Sequence, residues 1–195
     1  MGKGVDILKF IGNIKDPNVL VIGCFHGDEP QGEHLINAYM AEFPNTNLLM
    51  IPRLNSCDTR VNKNGVDLNR NFPTKNWELG EKNEYFGGEF PASEEETQFI
   101  IEAVEKYNPE VILTLHAPYK VVNFDGPKSY IIEKISEIMN YPIEESIGYP
   151  TPGSFGTWAG IERNILTITL ELDEEIDVKE LEPQVFKVFE LLEGV

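Results

Sequence analysis

With 195 residues, 33 acidic against 16 basic side chains and a formal charge of −17, the chain is long enough to bury a core unaided and repels phosphate backbones and anionic headgroups. Nucleic-acid and membrane partners are therefore not expected, and no apolar run approaches the length of a bilayer span. Two cysteines, Cys24 and Cys57, are too few for a disulfide framework, and Met1 to Asp6 does not begin a signal peptide, so a reducing, cytoplasmic setting is expected.

In chain order, strand signals and helix signals alternate. Strands are predicted from Val5 to Phe10 and from Val19 to Phe25, where Cys24 reads as a small hydrophobe. The second run stops at His26-Gly27-Asp28-Glu29. That H-x-x-E pair is either a pair of metal ligands or a plain helix start, with Asp28 as cap, Pro30 in the first turn and Glu29 favouring the dipole. A helix follows from Gln31 to Phe43, carrying His34, the spare histidine, read as structural or solvated. A strand is expected from Asn47 to Leu54.

The long segment from Arg60 to Ala92 has turn signals and little periodicity, which predicts a functional loop. Within it Val66-Asp67-Leu68-Asn69-Arg70-Asn71 sets a guanidinium beside an amide, a pair suited to a carboxylate, unless Arg70 merely pairs with Asp67. A helix over Ser93 to Tyr107 opens on a predicted capping box, Ser93 with Glu96. The run Val111 to His116 is a strand ending in a second histidine, which in isolation is a satisfied core residue. A helix from Ser129 to Met139, a strand from Ile165 to Leu172 and a helix from Val178 to Leu192 complete the chain. Glu171 in that last strand is either a buried base or an edge residue facing water beside Asp173-Glu174-Glu175.

This alternation predicts an α/β fold, a three-layer α/β/α sandwich with a mostly parallel mixed sheet, as one domain over residues 1–195. In such sheets ligands gather beyond the carboxyl ends of the strands, and His26, Arg60, His116 and Glu171 all fall at or just after a predicted strand end. Two imidazoles and a carboxylate are the donor set of a catalytic Zn2+, which keeps its fourth position for water.

The set His26-x-x-Glu29, Arg60, Gly65 to Pro73, Leu115-His116, Tyr149 and Thr169-Leu170-Glu171 resembles the zinc metallocarboxypeptidases in content and order. Ser93 to Gln98, Leu115 to Pro118 and Ile147 to Trp158 look closer still to the bacterial murein peptide amidase A group. The resemblance runs from about Val19 to Leu172. It implies that His26, Glu29 and His116 hold one zinc ion, and that Glu171 deprotonates the attacking water and protonates the leaving amine. It further implies that Arg60 stabilises the oxyanion, and that Asn69, Arg70 and Tyr149 grip the free carboxylate of a small peptide. The substrate it implies is L-Ala-γ-D-Glu-meso-diaminopimelate, cut before diaminopimelate during peptidoglycan recycling.

Asn55-Ser56-Cys57-Asp58 stands where relatives often carry Asn-Pro-Asp-Gly, Ala117 where they often have a polar residue, and Asp173 where they have Pro, so a different loop before Arg60 is expected. Trimmed pocket loops and no pro-segment are expected as well. Two rival readings share the motifs: an N-acyl-amino-acid deacylase of the aspartoacylase and succinylglutamate desuccinylase type, and a zinc-binding homologue without catalysis. The Tyr149 segment favours the peptidase over the first, and Glu171 argues against the second. Glu162, Arg163 and Asp125 are candidates for reading the distal end of diaminopimelate, and the sequence does not rank them.

Overall fold

The computed structural model describes residues 17–144 and 150–195; the strand expected at Val5 to Phe10 and the position of Tyr149 lie outside the described residues. An unbroken apolar run forms β1 (Val19–Gly23), and the amphipathic stretch after it forms α1 (Gln31–Glu42). Next come β2 (Leu49–Ile51), α2 (Glu95–Tyr107), β3 (Val111–His116) and β4 (Val121–Asp125). The chain closes with α3 (Tyr130–Met139), β5 (Ile143–Glu144), β6 (Leu166–Glu171) and α4 (Val178–Glu193).

The strands lie in the order β2-β1-β3-β6-β4-β5. Every neighbouring pair is parallel except β6 with β4. Side chains alternate across this sheet and fill two cores. Val19, Val21, Leu113, Ile168 and Leu170 point to one face, under α1, α3 and α4. Leu20, Ile22 and Ile112 point to the other, against α2 and an aromatic cluster of Phe25, Phe72, Phe155 and Trp158. The expected three-layer architecture with a mostly parallel mixed sheet is the one observed. Because α1 and α2 cover opposite faces, the chain crosses to different sides of β1, which opens a crevice at the strand ends there.

Several local expectations change. The strand expected over Asn47 to Leu54 shrinks to three residues, and β4 and β5 went unpredicted. The capping box does not form: α2 starts at Glu95, after Glu94, and Ser93 instead donates to the Glu94 carboxylate (2.7 Å) and accepts from Asn71 (2.9 Å). The loop recruits both carboxylates that follow, for Asn62 donates to Glu94 (2.8 Å) and Glu96 (3.4 Å). At α1 the N-cap residue is Pro30 without a side-chain cap, so Asp28 does not serve that purpose. No helix among the described residues is long and apolar enough to cross a membrane.

Candidate active site

The turn that follows β1 sets the first two functional side chains. Cys24 takes a positive φ of 51°, which ends the strand and swings the chain across its tip. Backbone bonds then stitch it to the segment before Arg60: Asn55 N–H donates to Cys24 O (2.9 Å) and Gly27 N–H to Thr59 O (3.0 Å). A Cβ on Gly27 would overlap the Cys57 carbonyl, so only glycine permits this approach. Asn55, fully buried, donates to the carbonyls of Thr59 (3.0 Å) and Arg60 (3.2 Å), which fixes the unusual Asn55-Ser56-Cys57-Asp58 loop in place.

His26, Glu29 and His116 meet at the mouth of the crevice. His26 Nδ1 lies 2.7 Å from Glu29 Oε1 and His116 Nδ1 lies 2.9 Å from Glu29 Oε2. The two rings stand at 66° with centroids 5.1 Å apart, so both nitrogens converge on one carboxylate. His116 is backed by Phe25, stacked at 5.6 Å, which ties the ring to the aromatic core. Its strand holds it in register with Glu171 on β6. Because β6 is paired on both sides and Glu171 is 6% exposed, the edge-strand reading of that residue is overturned.

Asp67 is the residue that sequence reasoning missed. It is fully buried and its carboxylate is shared three ways. Oδ1 lies 3.1 Å from His26 Nε2 and accepts from Asn69 N–H (2.9 Å), and Oδ2 accepts from Arg60 (2.8 Å). Arg70 contributes through space, and not as the direct partner that the plain-turn reading expected; its guanidinium donates to Asn69 O (2.7 Å). The cue was present in the sequence, a carboxylate among apolar neighbours directly before Leu68-Asn69-Arg70, but charge pairing within the motif explained it equally well.

The electrostatics follow from these contacts. Burial opposes a charge on His26, yet Asp67 and Glu29 outweigh it and hold the imidazole at a pKa of about 9. Burial also opposes ionisation of Glu29, but His116 and His26 pull its pKa far below the usual carboxylate range. Asp67 is likewise disfavoured by burial and is brought down to about 2 by His26, with Arg60 and Arg70. Glu171 goes the other way: burial raises its pKa and Glu29 adds to the rise, against partial relief from His116.

His26, Glu29, His116 and Glu171 line one cavity of about 340 Å³ with Arg60, Asn69 and Arg70. Asn69 Oδ1 accepts from Phe155 N–H (2.9 Å), which commits the oxygen and leaves the amide NH2 as the donating end. Arg60 also lies over the ring of Tyr85 at 4.8 Å. The cavity thus brings together the described residues expected to hold zinc, act on water or grip the carboxylate, namely His26, Glu29, Arg60, Asn69, Arg70, His116 and Glu171, whereas Glu162 and Arg163 do not line it; Tyr149 lies outside the described residues.

The zinc carboxypeptidase family profile matches residues 51–133. Murein peptide amidase A of Vibrio campbellii is 31% identical over 188 residues, covering 87% of this chain and 75% of that protein. The chain belongs to the zinc carboxypeptidase family. Murein peptide amidase A of Escherichia coli strain K12 is 36% identical over 124 residues, 57% of this chain, and the match spans 50% of that relative's length. In structure, murein-tripeptide amidase MpaA from Escherichia coli O157 superposes with a TM-score of 0.80 at 27% identity, covering 92% of this chain and 83% of that one.

Membership implies zinc, and the donor set suits it. One ligand atom from each of His26, Glu29 and His116 can be chosen so that all lie within 4.8 Å of one another. Imidazole nitrogen and carboxylate oxygen are zinc donors, and Asp67 behind His26 turns the Nδ1 lone pair toward the shared point. Asp67→Asn is expected to weaken zinc affinity by about 10- to 100-fold, the usual effect of removing a carboxylate behind a ligating histidine. Titration against a competing zinc chelator measures it, and an unchanged affinity would refute the role given to Asp67.

Proposed function

We propose that the chain is a zinc peptidase that cleaves the amide bond between γ-D-glutamate and meso-diaminopimelate in murein tripeptide, as in peptidoglycan recycling. The reading rests on one observation: a His-Glu-His cluster, a buried carboxylate and a guanidinium-amide pair share a single cavity. When bound, zinc supplies Lewis acidity, lowering the pKa of water at the site and polarising the scissile carbonyl.

In this reading the rest of the chemistry belongs to the chain. Glu171 takes the proton of the attacking water and returns it to the leaving amine. Its Oε2 is buried without a hydrogen-bond partner among the described residues. Arg60 offers its guanidinium to the developing oxyanion. Arg70 and Asn69 hold the α-carboxylate of the C-terminal residue, with Tyr149 as a third contact. The amidase names of the relatives and the cation-amide pair support a substrate with a free carboxylate. Cys24 and Cys57 are free thiols, which suits the cytoplasm, and we treat residues 1–195 as one catalytic domain.

The test is a paired assay of the zinc-loaded protein on murein tripeptide and on N-succinylglutamate. Release of diaminopimelate is expected. Hydrolysis of N-succinylglutamate alone would replace this reading with the deacylase one.

A further inference from the structure

We propose that Arg53 couples the turn carrying His26 and Glu29 to the loop that delivers Arg60, so that one guanidinium positions both. This rests on the zinc peptidase reading of the cavity.

Arg53 lies just past the carboxyl end of β2, the strand that pairs with β1. Leu54 N–H donates to Gly23 O (3.2 Å) and Asn55 N–H to Cys24 O (2.9 Å), so the backbone after Arg53 is fixed against the turn leading to His26. From there the side chain reaches three separate segments. Nη1 donates to the Glu33 carboxylate in the first turn of α1 (2.7 Å). Nη2 donates to Gly27 O (3.2 Å), between His26 and Glu29, and to Cys57 O (3.0 Å). Nε donates to Asn55 O (2.8 Å), in the loop before Arg60. A further pair, Nη2 with the Asp58 carboxylate (2.7 Å), is solvent-exposed on the acid's side and contributes little.

Arg53 does not line the cavity, so it acts through what it holds. Gly27 is clasped from both sides: its N–H donates to Thr59 O (3.0 Å) and its carbonyl accepts from Arg53. The carbonyls of Gly27 and Cys57 share one guanidinium nitrogen, so a shift of either is felt by the other. Residues 55–60 belong to no helix or strand, and their place depends on contacts of this kind. The Asn55 side chain knits that loop internally, whereas Arg53 attaches it to the turn. Only arginine has the fork for this. Its five N–H groups lie in one rigid plane, while a lysine ammonium is a compact point charge.

The consequence is a linkage between metal binding and the placement of Arg60. When His26 and Glu29 are fixed by a bound ion, Gly27 O is fixed with them, and through Arg53 so is the Cys57 segment. By reciprocity, a firmly held loop raises the affinity for zinc. Asp67 offers a second route between the same groups, since it touches both His26 and Arg60, but it acts on the side chains. Arg53 acts on the backbone, at the other end of the Arg60 side chain. The two routes are therefore separable by substitution.

The test compares wild type, Arg53→Ala and Arg53→Lys by amide hydrogen exchange over residues 54–60, with and without zinc. Zinc is expected to slow exchange there in the wild type. In both variants that slowing should be lost, and zinc affinity should fall about tenfold. In peptide hydrolysis at saturating zinc, kcat should fall about a hundredfold with KM little changed, the scale for a group displaced by about 1 Å. Because the loss acts through Arg60, adding Arg53→Ala to Arg60→Ala should lower kcat no further. A role in stability alone would not produce that pattern. Arg53→Lys keeps a charge beside Glu33 without the fork, and it serves alone if the alanine variant does not fold. Three results overturn the proposal while leaving the peptidase reading intact: a wild-type loop that exchanges alike with and without zinc, slowing retained in the variants, or additive losses in the double variant. If no peptide is cleaved, the peptidase reading fails, and exchange with the zinc titration decides the coupling by itself.

Discussion

Glu171→Gln is expected to remove peptide hydrolysis almost completely while zinc content stays at one ion per chain. General-base catalysis by a positioned side chain contributes about 10²- to 10⁴-fold, and glutamine has no basic oxygen to replace it. The change is nearly isosteric, so it opens no cavity at the end of β6, and Glu171 is not among the clustered ligand residues. Stability moves in a direction that can be worked out. Burial raises the Glu171 pKa in the fold, so at pH values above its ordinary value the unfolded chain ionises more readily than the folded one. The wild type therefore loses stability as pH rises from that ordinary value through the raised one, a loss the glutamine variant does not share. In zinc-free protein the melting temperatures of the two should lie close together at low pH, with the variant ahead at neutral pH. Zinc analysis by mass spectrometry alongside turnover settles the main point: full activity in the variant refutes Glu171 as base, and loss of zinc makes it a ligand. A zinc-binding homologue without catalysis would show no difference in turnover.

What the sequence made legible follows from how each residue is buried. His26, His116 and Glu171 stand out because each interrupts an apolar strand run at its carboxyl end, where a sheet with helices on both faces binds its ligands. β4 was not legible, because Val121-Val122-Asn123-Phe124-Asp125 buries only one face: the polar members that weaken its strand pattern are those lining the cavity. The same holds for Ser93 and Glu96. Their spacing satisfies a helix-start rule, but Asn62 and Asn71 compete for the side chains across a long loop that local periodicity cannot describe. Arg60 lies in an irregular loop and is placed by contacts that no helix or strand period encodes, with Asp67 seven residues on and Asn55 five residues before. Asp67 is hidden for a different reason: it acts through His26 and Arg60, and neither partner is adjacent to it in the chain.

Arg60→Ala is expected to lower kcat by about 10²- to 10³-fold, or about 3 kcal/mol of barrier, as measured when one preorganised oxyanion donor is removed. Zinc content should be unchanged, since Arg60 is not among the clustered ligand residues and reaches His26 through Asp67. The guanidinium is held before substrate arrives: Asp67 takes one nitrogen at 2.8 Å and the Tyr85 ring lies 4.8 Å beneath it. Charge placed in advance costs no reorganisation when the carbonyl oxygen becomes anionic, so the loss should fall on kcat and kcat/KM alike. Arg70→Ala provides the contrast. Arg70 is buried, its guanidinium donates to Asn69 O (2.7 Å) and lines the cavity without hydrogen-bonding the Asp67 carboxylate, so its removal should act mainly by raising KM. Asp67→Asn separates the two routes, because it disturbs His26 and Arg60 together and should lower both zinc affinity and kcat. Steady-state kinetics at saturating zinc distinguish all three. If Arg60→Ala left kcat intact and raised KM, the oxyanion role would pass to another group and Arg60 would join Arg70 in holding the carboxylate.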